Sequence, residues 1–335
     1  MHKTIVALAL ALSLALAAIL FARPTRAAHR QYTIAYLTYV NYARGGREAA
    51  KRLGVRVLVG SCPNGPGSCS PSDENRLYTT MIARHVDAIT SDGYDPTLTP
   101  VFRKVRKAGI LLIASGDDIA GRRDLWVSPS DPVAYGEALA DALASQTGKN
   151  GEYAILDEQG EFPIAHTWKK VVKAYIARAY PKMKLVAAPT ETGAGDQNEV
   201  DAIKSLMSAH PHLKGLIAVT RTETYMAGEA ITQAGRIGQV FSSGNGGTSL
   251  ADPQLRGYVN SGAEDLVFVA NPNTLGYLTC WAADYLLTGH RFTPGAYDVG
   301  GPIGRVWYYA EHQELRLGQP LTITKQNLAL YANKF

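Results

Sequence analysis

From Tyr32 onward the chain repeats one unit, a short apolar run followed by a helical stretch. TIAYLTYV precedes GGREAAKRLG, VRVLVG precedes ENRLYTTMIARH, VDAITSDG precedes DPTLTPVFRKVRKAG, and ILLIASG ends the first series. The runs are nearly continuous Val, Ile and Leu without alternation, the pattern of parallel strands covered on both faces. A second series then begins. VAYGEALADALASQTG leads into EYAILDE and PIAHTWKKVVKAYIARAYP, then KLVAAPTE and NEVDAIKSLMSAH, then LKGLIAVT and TETYMAGEAITQAG. QVFSSG, a helix around LADPQLRGYVNSG, DLVFVA and NTLGYLTCWAADYLLTGH complete it, and RVWYYA, ELRLG and PLTIT read as short extended pieces. Two such series predict an α/β protein of two doubly wound, parallel-sheet, Rossmann-like domains with right-handed crossovers. A length of 335 residues suits two cores better than one.

Ligands of such sheets bind beyond the carboxyl ends of the strands. Asp92, Asp117, Asp118, Glu158, Thr220, Asn245 and Asn271 all fall at strand ends of this kind. The run ILLIASGDD is the sharpest case, a buried strand finished by two adjacent carboxylates. They suit a metal or catalytic pair, a helix cap, or a clamp for a polar ligand. Neighbouring side chains at a strand end diverge, which counts against paired acid chemistry.

The first 28 residues read as an export signal. Lys3 supplies the positive end, residues 5–21 form an apolar core, and Thr25 and Ala27 are the small residues expected before cleavage at Ala28. The core is long for a signal peptide, so an uncleaved membrane anchor is the competing reading. Cys62 and Cys69 flank the loop SCPNGPGSCS, where a disulfide would pin the loop in an oxidising compartment. Two thiolates without nearby His or Cys make a poor zinc site. Cys280 reads as a buried small hydrophobe. The formal net charge of +5 falls to about +2 without the leader, too balanced to point to nucleic acid. No G-x-G-x-x-G, P-loop, G-x-S-x-G or H-E-x-x-H motif is present.

Several stretches, in order, resemble the type I periplasmic sugar-binding proteins of ABC transporters, the group with ribose, rhamnose and autoinducer-2 binders. TIAYLTYV with GGREAAKRLGV is similar to that family's first strand and helix. VDAITSDGYDPTLTPVFRKVRKAGILLIASGDD, LKGLIAVTRTETYMAGEAITQAG, SSGNGGT and VANPNTLGYLTCWAADYLLTG resemble its later segments. LRLGQPLTITKQNL resembles the C-terminal run of the rhamnose and autoinducer-2 branch. The resemblance spans residues 31–335. It implies a type I periplasmic binding protein fold, with two lobes joined by a three-segment hinge that closes on a ligand. The expected crossings lie near 117–127, near Asn271 and near 300–304. The lobes would then be 29–127 plus 271–300, and 128–270 plus 301–335.

The resemblance also implies site residues. Asp117 matches the family's carboxylate at the first crossover, an acceptor for sugar hydroxyls. Asp118 reads as structural. Asn245 and Asn271 fall where the family presents Asp, Asn or Gln, although both also suit helix capping. Tyr39, Asn41 and Tyr42 follow the first strand, where aromatics stack on the sugar ring. Glu158, Phe162 and His166 occupy the loop and helix start that carry an Arg or Asp-Gln pair in the family. Thr220 and Arg221 replace its usual polar pair, and Arg221 reads equally as a clamp or as a solvated residue at a helix start. Trp126 and Trp168 read as core anchors.

The expected function is capture of a small sugar-like ligand in the interdomain cleft, by a periplasmic monomer without cofactor or metal, for an ABC permease or a chemoreceptor. The segment 33–54 is shorter than is typical of the family, which would open one cleft wall to a larger, more apolar, lipid-like ligand. An exported enzyme on the same fold is the remaining alternative. A transcriptional regulator would need a helix-turn-helix where the export segment stands.

Overall fold

In the computed structural model of the chain, residues 30–37, 40–62, 69–91, 95–119, 121–156, 163–186, 197–248 and 250–332 are described. The proposed leader, residues 1–28, lies outside them. The chain runs β1 (Thr33–Leu37), α1 (Val40–Leu53), β2 (Arg56–Gly60), α2 (Pro71–Ala83), β3 (Ala88–Ser91), α3 (Thr99–Lys107), β4 (Leu111–Ser115) and β5 (Leu125–Ser128). It continues through α4 (Pro132–Thr147), β6 (Gly151–Leu156), α5 (Pro163–Ala179), β7 (Met183–Leu185), α6 (Gln197–Ala209), β8 (Leu213–Ala218), α7 (Arg221–Gln233) and β9 (Phe241–Gly247). Then come α8 (Pro253–Ser261), β10 (Leu266–Val269), α9 (Pro272–Leu287), β11 (Gly295–Gly300), β12 (Gly304–Tyr309), β13 (Glu314–Arg316), β14 (Leu321–Thr324) and α10 (Leu328–Tyr331).

Among the described residues the strands form two sheets. The first has the order β11-β12-β13-β5-β4-β3-β1-β2, and the second β14-β10-β9-β8-β6-β7. Pairing is parallel from β2 through to β13, and from β7 through to β10. The C-terminal strands β11, β12 and β14 join antiparallel. The first sheet is covered on one face by Tyr36, Ile113, Val127, Leu275 and Leu278. Its other face carries Tyr78, Phe102, Leu112 and Trp126. In the second lobe α4 and α5 pack one face, through Leu139, Trp168 and Val172, while Ile203, Ile231 and Tyr258 cover the other. Burial on both faces explains why the strand sequences do not alternate.

The chain passes between the lobes three times, at places set by strand pairing. Trp126 of β5 pairs with Ala114 of β4, so the first passage follows Ser128 rather than falling within 117–127. The second is at Asn271, between β10 and α9. The third follows Arg316. Residues 300–304, expected as a crossing, are instead the turn of a hairpin inside the first sheet, with Gly300 opposite Gly304. Gly300, Gly301 and Gly304 have φ of +66°, +58° and +71°, the left-handed values of a tight reversal.

Helix α1 also differs from expectation. It begins at Val40, ahead of the two glycines that suggested a helix start. Those glycines are there for packing. A Cβ on Gly45 would lie 1.8 Å from the Asn273 carbonyl oxygen, and one on Gly46 would lie 2.5 Å from Tyr36 Oη. From the facing helix, a Cβ on Gly276 would lie 1.8 Å from the Tyr42 carbonyl oxygen. Close contact between α1 and α9 therefore outweighs the poor helix propensity of glycine. It also places Tyr42 within the helix rather than on a loop.

Candidate functional site

A cavity of about 300 Å³ lies between elements of the two lobes. Tyr42 of α1 and Asp117, just beyond β4, line it from the first lobe. From the second lobe come Ile164 and Trp168 of α5, Thr220, Arg221 and Thr222 at the start of α7, and Asn245, Gly247 and Thr248 at the end of β9. These positions follow the carboxyl ends of β4, β8 and β9, where a doubly wound sheet leaves helix N-termini and loops to meet a ligand.

The two adjacent carboxylates divide their roles. Asp118 is held by Arg123, with Nε–Oδ1 at 2.5 Å and Nη2–Oδ2 at 3.0 Å, and the same guanidinium donates to the His312 carbonyl at 2.7 Å. Its charge is spent on fixing the turn to the C-terminal strands. Gly116 sets that turn at φ +101°, and its carbonyl accepts the Trp126 indole proton at 2.8 Å. Asp117 looks the other way, into the cavity, and among the described residues nothing donates to it. Burial, reinforced by the neighbouring Asp118 charge, pushes its carboxyl up to about 7. When ionised it can accept hydrogen bonds from groups in the cavity.

The second-lobe wall is built by local rules. Thr220 is the residue before α7, with extended backbone at φ −117° and ψ 171°, and its hydroxyl bonds the Glu223 carboxylate. Asn245 donates to the Val219 carbonyl at 3.2 Å and accepts from the Gly247 amide at 2.8 Å, which fixes the end of β9. Trp168 stacks on Tyr135, with centroids 4.4 Å apart and planes at 27°. It is 7% exposed, and its indole Nε1 is buried without a hydrogen-bond partner among the described residues. Trp168 is therefore a core anchor that also forms cavity wall.

The structure thus brings Tyr42, Asp117, Thr220, Arg221 and Asn245 to one cavity. It does not bring His166 there. That side chain is exposed and about 200° round α5 from Ile164, so it faces away. Asn271 lies outside the wall and acts as the N-cap of α9, accepting from the amides of Asn273 at 3.0 Å and Thr274 at 3.4 Å. Tyr39, Glu158, Phe162 and the side chain of Asn41 lie outside the described residues. Cys62 and Cys69 are joined, and Cys280 is a buried free thiol. A larger hollow of about 390 Å³ lies at the hinge, but its charged groups are occupied with one another. Asp131 and Glu314 there are both bound by Arg316.

Comparison with known families decides the class. The periplasmic binding protein domain matches residues 33–291. The chain belongs to that family. As a periplasmic binding protein domain it is 25% identical over 219 residues to the D-apiose import binding protein of Actinobacillus succinogenes, an alignment covering 64% of this chain and 68% of the relative. Its fold matches a sugar ABC transporter structure from Actinomyces odontolyticus with a TM-score of 0.74 and 22% identity, covering 90% of this chain and 97% of the other. It also matches a solute-binding protein from Clostridium phytofermentas with bound L-rhamnose, with a TM-score of 0.73, 20% identity and coverages of 91% and 99%. Among the described residues no helix is long and apolar enough to cross a membrane.

Proposed function

We propose that the protein is an exported solute receptor that captures a monosaccharide between its lobes and delivers it to an ABC importer, without chemistry on the ligand. The observation that carries this reading is Asp117, a carboxylate that faces the interlobe cavity without a partner among the described residues. A sugar hydroxyl donates to it and supplies the missing hydrogen bonds. Opposite, Thr222 and Thr248 offer hydroxyls that both donate and accept, and Asn245 has a second amide proton beyond the one it gives Val219. Trp168 and Tyr42 offer ring surface to the C–H face of a pyranose or furanose.

The cavity volume of about 300 Å³ is at the lower end for small-molecule pockets, which favours a monosaccharide over a larger lipid-like guest. The relatives support sugar as the ligand class, because their names state D-apiose import and bound L-rhamnose. The Cys62–Cys69 disulfide supports an oxidising compartment such as the periplasm. Three chain passages between the lobes give the hinge on which closure would turn.

A thermal-shift screen with D-apiose, L-rhamnose, D-arabinose and other monosaccharides tests the reading. A binder selective for the folded state raises the melting temperature in a concentration-dependent way. A flat response to every sugar, or turnover of a hit, would contradict it.

A further inference from the structure

The cation on the cavity wall is held from behind. Arg221 Nη2 donates to Tyr225 Oη at 2.6 Å, one turn along α7. Tyr225 Oη donates in turn to Asp252 Oδ2 at 2.7 Å. The direct approach of Arg221 to that carboxylate is longer, 3.6 Å, beyond a strong charge-assisted hydrogen bond. Asp252 is itself anchored, since its other oxygen caps α8 by accepting from the Gln254 amide at 2.8 Å. The guanidinium carbon lies 5.2 Å from the Tyr225 ring centroid, within cation–π range. Gly247, at φ +69°, gives the arginine stem its room, because a Cβ there would meet Arg221 Cδ at 3.1 Å.

The order of donors is forced. A guanidinium only donates and a carboxylate only accepts, while a phenol does both. Burial and the hydrogen bond to Asp252 push the Tyr225 phenol well up, so it keeps its proton at neutral pH. Without that hydroxyl the two opposite charges are close enough to join directly, and the guanidinium would be drawn off its place toward Asp252.

We propose that Tyr225 is a positioning residue whose hydroxyl, inserted between Arg221 and Asp252, keeps the guanidinium at the ligand cavity. The inference rests on the reading of the cavity as a sugar site. Arg221 then gives the second lobe a donor-only group facing ligand oxygens, the counterpart of the acceptor-only Asp117 in the first lobe.

The test is calorimetric binding by the full chain at pH 7.5, using whichever of D-apiose, L-rhamnose and D-arabinose gives the largest thermal shift. Tyr225→Phe keeps the ring and removes only the hydroxyl. It should weaken binding about tenfold, the scale of one hydrogen bond to a charged group. In an Arg221→Met background the same change should cost nothing further, because the residue acts only through Arg221. Asp252→Asn keeps the capping chemistry but removes the charge that draws Arg221 away. Added to Tyr225→Phe, it should recover at least threefold of the lost affinity. Binding by Tyr225→Phe within twofold of wild type, an undiminished tenfold loss in the Arg221→Met background, or no recovery with Asp252→Asn would each overturn the proposal. Wild-type protein that binds none of the three sugars would overturn the sugar reading itself, and the relay's role in binding with it.

Discussion

Arg316, at the end of β13 in the first sheet, donates to Asp131, the N-cap of α4 in the second lobe. The same guanidinium holds Glu314 through Nε at 2.9 Å and Nη2 at 2.8 Å and lies 3.9 Å from the Tyr309 ring centroid. Asp131 meanwhile accepts from the amides of Val133 and Ala134 through its other oxygen. One side chain therefore ties a strand of one lobe to the first helix of the other, beside the first and third passages of the chain.

Removing that side chain should be costly. Glu314 is fully buried, and Ser128 is its other partner among the hydrogen bonds of the described residues. Arg316→Met would strand a buried carboxylate, at a cost of about 3–5 kcal/mol. Chemical denaturation should show this as a lower midpoint. Arg316→Lys should not rescue it, because an ammonium cannot reproduce the two-pronged contact. Wild-type stability in Arg316→Met would remove the residue from the hinge account.

The pH dependence of the unliganded protein follows from Asp117. Its carboxyl sits near 7 in the fold, against an ordinary value of 3.8. Between those limits the folded protein keeps a proton that the unfolded chain has released, so this group makes stability fall as pH rises from about 4 to about 7. Above 7 its contribution is constant. Asp117→Asn removes the effect, so the variant should gain stability over wild type progressively between pH 4 and 7. Glu74, pushed up to about 7 by burial and then by the Asp95 charge, gives a slope of the same sign that persists in the variant. Thermal melts of both proteins across this range check the difference, and parallel curves would contradict it.

Two glycine substitutions should act in opposite directions. Gly276→Ala drives a methyl into the Tyr42 backbone, so α1 and α9 must part. Overpacking of this kind costs about 1–3 kcal/mol or more. Because Tyr42 lines the cavity, sugar affinity should fall as well. Gly257→Ala on α8 meets nothing within 4 Å and should stabilise by about 0.5–1 kcal/mol. Equal effects in denaturation curves would contradict the packing argument.

These glycines also show where sequence reading stopped. The strand–helix alternation was legible because burial on both faces leaves an apolar run that needs no partner to be recognised. The place of Asp117 was legible for a related reason, because it directly follows the end of such a run. The extent of α1 was not, since only the facing helix explains why Gly45 and Gly46 are helical. The hairpin at residues 300–304 depends on which strand accepts the tail, a non-local choice. Trp168 reads as core from its own helix, and its second role emerges only when the lobes meet. His166 shares that helix, but the three-dimensional phase of α5 turns it outward.

The most direct test of the central claim is calorimetric titration of wild type and Asp117→Asn, at pH 7.5, with the sugar that gives the largest thermal shift. Asn keeps the size and one acceptor but loses the charge, so the affinity should fall by about 10- to 100-fold. The melting temperature of the unliganded variant should not fall. Unchanged affinity in Asp117→Asn would contradict capture of the sugar against this carboxylate between the lobes.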